Sequence, residues 1–271
     1  MMRFFRKVIA FLKRDILESS SYKFSYVFGV VGIVGSLVFF FFLSKLISQE
    51  ANTYLAPYGG SYFAYVIIGI AFSGYVNFSS GIFGNLLEGE QDCGTLEAIL
   101  VSPSRIGELA FANSVWSFLF TTINVAAYLL LGSIFFGLDV SKANVPSVVV
   151  IVVVSCVPLF LIGTIASSIT LITKQSNFMD MLTGRISMFL AGLYMPVAVF
   201  PAWMAKVSRV LPLTHSLEAL RKSALTGAGV RDVLPDLLYL ALVSILLAPV
   251  SIIMFRYGFK KAKLYGNLVH R

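Results

Sequence analysis

Six stretches of this chain contain no Asp, Glu, Lys or Arg: residues 24–44, 51–87, 109–138, 143–173, 186–205 and 237–255. A helix crossing the hydrocarbon of a bilayer needs about 20 apolar residues, and every window reaches or approaches that length. Backbone in lipid must satisfy its own hydrogen bonds, which leaves helices and closed barrels. Barrel strands alternate apolar and polar residues over short segments, and runs such as GSLVFFFFL (35–43) do not alternate. The expected fold is therefore an all-α integral membrane protein with six transmembrane helices. Only 13% of the 271 residues are charged and mean hydropathy is +0.86. Soluble domains carry about 25% charged residues, so lipid, rather than a globular core, is the expected cover for the excess apolar surface.

The basic residues orient the chain. Residues 1–23 hold six Lys or Arg and residues 256–271 hold five, against one each in the first and second loops of the opposite side, Lys45 and Lys142. Cytoplasmic segments are enriched in Lys and Arg, which places both termini in the cytoplasm. Lys206, Arg209, Arg221, Lys222 and Arg231 run against this assignment; the two ends together outweigh them. The net charge of +8 is explained by these flanks, and no nucleic-acid partner is expected. Phe4, Phe5, Val8, Ile9, Phe11, Leu12 and Ile16 share one helical arc, and Arg6, Lys7, Lys13 and Arg14 the opposite one. Residues 1–23 thus read as an amphipathic helix in the membrane interface. The same basic residues interrupt any apolar core of a cleavable signal peptide.

The first span carries Gly29, Gly32 and Gly35, small residues that permit close helix contact in lipid. Ser102 and Pro103 are helix-start chemistry for the third span. The fifth window is interrupted by Pro196 and Pro201, and LPLTHSLEAL (211–220) is too short and too polar to cross. Residues 206–234 therefore read as an external or re-entrant segment. The whole chain, 1–271, reads as a single transmembrane domain.

Several chemistries are missing. There is no phosphate-binding loop, since no Gly is followed directly by Lys, and there is no H-E-x-x-H or G-x-S-x-G motif. Two cysteines, Cys93 and Cys156, and two histidines, His215 and His270, supply no ligand spacing, so no metal is expected. Proton-coupled carriers commonly need ionisable groups near the membrane midplane, and the six windows hold none of the four charged types. An unpowered channel is left open by this, as is a lipid-acting enzyme built on His215, Glu218 and Arg221.

Between the second and third windows lies EGEQDCGTLEAILVSP (88–103). Leu96, Ile99 and Leu100 fall on one face of a short helix, and Gly94 permits a bend before it. That pattern suits a knob for a groove on a partner, and periodicity alone serves a solvated linker equally well. The stretch resembles the cytoplasmic loop of type-2 ATP-binding cassette (ABC) transporter permeases, whose pattern is roughly E-R-E-x-G-T-L-E-x-L-L-x-x-P. Glu90, Asp92, Gly94, Thr95, Leu96, Glu97, Leu100 and Pro103 match it, and Gln91 stands where the family carries a basic residue. LPLTHSLEALR (211–221) is similar to the family's segment before its last span, and the layout of the chain matches throughout.

The resemblance implies a permease subunit that pairs with a second permease and with a separate nucleotide-binding ATPase subunit. ATP and Mg would sit on that ATPase, with no cofactor on this chain. The loop at 88–105 would be the coupling helix, with Glu90, Asp92, Gly94, Thr95, Leu96, Glu97, Ile99, Leu100 and Pro103 as its docking residues. The implied location is the cell (inner) membrane, and the implied activity is export of a drug-like, lipid-like or other amphipathic compound. Apart from the resemblance, residue spacing makes an aromatic face at Tyr58, Tyr62, Tyr65, Gly69 and Phe72, with Phe189, Tyr194 and Phe200 in the fifth span, a candidate substrate path; tyrosines at the membrane interface and phenylalanines facing lipid are the alternative reading.

Overall fold

The computed structural model describes residues 9, 12–14, 23–47, 51–92, 106–173, 178–179 and 181–264. Five charge-free windows become long apolar helices: α1 (Lys23–Leu46), α2 (Tyr62–Asp92), α3 (Ile106–Phe136), α4 (Val145–Thr173) and, last in the chain, a helix at Leu234–Leu264. Each contains at least 18 residues apolar enough to span. The protein is an all-α membrane protein. The interfacial helix expected at 1–23 lies largely outside the described residues.

The fifth window, 186–205, is broken as its prolines predict, so among the described residues five long spans are present. Within the described residues its apolar helix, α5, covers Met181–Leu190. The chain then turns sharply at Gly192, where φ is +79° and an added Cβ would lie 3.0 Å from the Met195 carbonyl oxygen. Pro196 and Pro201 follow, and neither donates a backbone hydrogen bond. Two short helices come next, α6 (Ala202–Val210) and α7 (Pro212–Arg221), and a π-helical turn at Lys222–Thr226 leads to α8 (Leu234–Leu264). Neither α6 nor α7 crosses. Leu213, Leu217 and Leu220 bury α7 against α2, α4 and α8 as a cap on one end of the bundle.

At that cap end the Asn144 amide donates to the Ser223 carbonyl at 3.0 Å. The last turn of α2, at Asp92, and the first turn of α3, at Ile106, lie toward the other end. The most extensive helix pair is α4 with α8. Gly258 makes it close: a Cβ there would lie 2.9 Å from the Ser168 carbonyl oxygen. By contrast α1 is peripheral. Ile33 and Leu37 pack on Phe63, Ile67 and Leu138, while Phe28, Phe39 and Phe42 remain exposed. Gly29, Gly32 and Gly35 have nothing within 4 Å of an added Cβ, so they make no close helix contact among the described residues.

Candidate functional site

The last residue of α7, Arg221, is 1% exposed. Its Nε donates to the Tyr65 carbonyl at 3.1 Å, Nη1 to Gly192 O at 3.0 Å and Nη2 to Leu193 O at 2.9 Å. The guanidinium carbon lies 3.5 Å from the centroid of the Tyr65 ring, and the Tyr65 hydroxyl donates to Gly192 O at 2.8 Å. Among the described residues no carboxylate forms an ion pair with it. Three carbonyl dipoles and an aromatic face offset the buried charge instead. Gly69 makes the room, since its Cβ would sit 2.6 Å from Nη2 and 3.0 Å from Leu193 O. One side chain thus ties α2, the turn after α5 and the cap together.

A second tie joins the cap to the last span. His215 Nδ1 lies 2.8 Å from Asp236 Oδ1 and Nε2 lies 3.0 Å from the Arg209 carbonyl oxygen. Both partners accept, so only the imidazolium donates to both. The hydrogen bond to Asp236 is the main cause holding the His215 pKa above its usual value, assisted by the Arg209 carbonyl, with Glu218 adding to the field and burial opposing. Lys222 Nζ approaches the other Asp236 oxygen at 3.7 Å, and Tyr239 stacks 4.0 Å from the His215 ring while its hydroxyl donates to Val210 O at 2.8 Å. A folded-state pKa above the unfolded one contributes stability that is complete below the unfolded value, about 6.5, and lost as pH rises through the folded value. Thermal unfolding of the full chain is expected to show a Tm that falls by a few degrees from pH 6 upward through that window. His215→Gln is expected to flatten the profile. An unchanged slope in this variant would remove His215 as its source.

The expected path residues divide. Tyr65 and Phe72 are each 1% exposed; Tyr65 belongs to the arginine site. Phe72, with Tyr75, Phe118 and Val152, lines an apolar cavity of about 340 Å³ between α2, α3, α4 and α7. Tyr58 and Tyr62 are half-buried, with the Tyr58 ring edge-on to Tyr65 at 5.2 Å. Phe189 and Tyr194 are exposed at 42% and 41%, and Tyr194 stacks on Phe40 of α1 at 6.1 Å. Phe200 is buried beside Phe189. Of the docking residues, Glu90 and Asp92 belong to the last turns of α2. Gly94, Thr95, Leu96, Glu97, Ile99, Leu100 and Pro103 lie outside the described residues.

The grouping of His215, Glu218 and Arg221 as a catalytic cluster finds no support in this geometry. His215 and Arg221 face different partners, and both are engaged in holding the cap.

The family model described as ABC-2 type transporter matches residues 6–225. The chain belongs to that family. No curated protein matches it. The ABC-2 match takes in α1 to α7 and the arginine site, and α8 lies beyond it. As an ABC-2 membrane domain the chain is a transmembrane transporter component and not itself the ATPase. Sequence reasoning passed over Arg221 and Gly69 as a pair. The available signal was an arginine at the end of a short helix and a glycine midway along an aromatic face.

Proposed function

We propose that this chain is the membrane-path subunit of an ATP-driven exporter and that a separate nucleotide-binding ATPase docks on its loop at 93–105. The supporting observation is the hairpin of α2 and α3. Each helix has 31 residues, about 46 Å of rise, and so runs about 15 Å beyond the hydrocarbon. The overhang is where the charges return, at Glu88, Glu90 and Asp92 on one helix and Glu108 on the other. The loop between them carries the G-T-L-E signature. The hairpin is thus built to meet a soluble partner and to carry force into the spans.

In this reading the loop and both termini are cytoplasmic and the cap is external, in the cell membrane. ATP binding closes two ATPase subunits and displaces the loops of two permeases. The α2–α3 hairpins then change how the permeases pack, and an amphipathic compound is released outward. ATP and Mg remain on the partner.

Co-purification tests the reading. The full chain is expressed with a candidate ABC ATPase subunit, solubilised in mild detergent and captured. Wild type is expected to retain the ATPase. Leu96→Asp/Leu100→Asp is expected to retain about tenfold less or lower, the cost of two carboxylates in an apolar contact, with an unchanged Tm for the permease. Retention equal to wild type would remove the loop as the docking surface. No retention by wild type would remove the transporter reading for this pair.

A further inference from the structure

A second cavity, of about 280 Å³, shares Ala71 and Val125 with the apolar one but opens on the α1 side of the α2–α3 seam. Its wall is polar. Ser73 and Gly74 of α2 face Thr121, Asn124 and Tyr128 of α3, with Ile33 of α1 beside them. Gly74 leaves the gap, since a Cβ there would lie 3.1 Å from Thr121 Cγ2. From Tyr62 to Ser73 is about 16 Å of helix and from Asn124 to Phe136 about 18 Å, against about 15 Å for half the hydrocarbon. These groups therefore sit near the membrane midplane, where polar side chains are costly unless something satisfies them.

Part of their hydrogen bonding is spent at home. Ser73 Oγ donates to Ile70 O at 2.6 Å, Asn124 Nδ2 to Phe120 O at 3.0 Å, and Ser36 Oγ to the Tyr128 hydroxyl at 3.2 Å. The Asn124 amide oxygen and the Thr121 hydroxyl have no hydrogen-bond partner among the described residues, and both side chains are only half-buried. The cavity thus offers an acceptor and a hydroxyl in a groove reachable from lipid. It offers no charge: the windows supplying its walls contain no Asp, Glu, Lys or Arg. A charged guest would stand there without a counter-ion at low dielectric. A neutral guest with one donor and one acceptor meets both unspent groups.

We infer that this α1–α2–α3 cavity binds the amide- or hydroxyl-bearing head of an uncharged amphipath that enters from the bilayer. That the guest is the exported compound rests on the function proposed above; occupancy of the cavity does not.

Photolabelling tests it on the full chain in phosphatidylcholine nanodiscs. The probe is N-dodecylacetamide carrying a diazirine on its acetyl end, with labelled peptides mapped by mass spectrometry. Labelling is expected to centre on residues 70–74 and 121–128. Unmodified N-dodecylacetamide should displace it at about tenfold lower concentration than dodecyltrimethylammonium does. Asn124→Leu and the nearly isosteric Thr121→Val should each reduce it about tenfold, the loss of one hydrogen bond in a dry site; a Tm like that of wild type certifies the fold of each. Labelling spread evenly over the lipid-facing sides of α1 and α8 would overturn the inference. So would equal competition by the cation, or Thr121→Val labelled like wild type. The readout uses no ATP, so focused labelling with no ATPase retained sinks the export reading alone, and diffuse labelling with ATPase retained sinks this inference alone.

Discussion

Arg221→Met is expected to lower the Tm of the purified full chain by about 10 °C and to expose the turn at 191–196 to protease. Methionine keeps an apolar stem but ends short of the guanidinium, so the loss combines the missing donors with the space they filled. Three carbonyl oxygens, on Tyr65, Gly192 and Leu193, lose a charged donor at once. Breaking a buried charged network in this way costs about 3–5 kcal/mol, and a chain of this size loses about 2–4 °C per kcal/mol. Arg221→Lys should recover less than half, because one ammonium cannot match a planar fork that reaches two backbone segments while stacking on Tyr65. A Tm within about 2 °C of wild type for Arg221→Met would show that the cap is held by its leucines alone.

A loss of about 5 °C is expected for Gly258→Ala on α8. The atoms an added methyl would meet are backbone, Ser168 O at 2.9 Å and Ser168 Cα at 3.3 Å. They cannot swing aside as a side-chain tip does, so the two helices must separate. Overpacking of this kind costs about 1–3 kcal/mol, more than the gain in helix propensity of Ala over Gly, about 1 kcal/mol. The control is Gly35→Ala on α1, which meets nothing within 4 Å and should hold its Tm or raise it slightly. If both variants melt like wild type, the tight approach of α4 and α8 is not a source of stability.

The spans were legible because lipid imposes one strong rule, the exclusion of charge over a helix's length, and that rule leaves unbroken windows. The fifth span was less so. A charge-free window says how far the chain could run, whereas Gly192, Pro196 and Pro201 decide how far the helix does run. The aromatic face of α2 was visible as a period, yet a period does not say what a face meets. Tyr65 meets a cation 156 residues away in sequence, and Phe72 meets the α3–α4 side. Arg221 was hard to place for a related reason. An arginine in the cap counts as a surface charge under the positive-inside rule, and only the three-dimensional return of the chain reveals the carbonyls that receive it. Asn124 and Thr121 carry no charge, so a search for ionisable groups in the spans passes over them.

The arginine site also bears on how the protein is made. Synthesis proceeds from the N-terminus at about 5–20 residues per second, so α2 emerges roughly 8–30 s before the guanidinium that locks it. Over that interval the recess floored by Gly69 stays unfilled, and helices already inserted lack their final restraint. Any product that stops short of Arg221 keeps the recess permanently open. A chain that stops before Arg221 therefore differs from a longer one at a defect in its second span, while α8 (Leu234–Leu264) has still to be made when the guanidinium arrives.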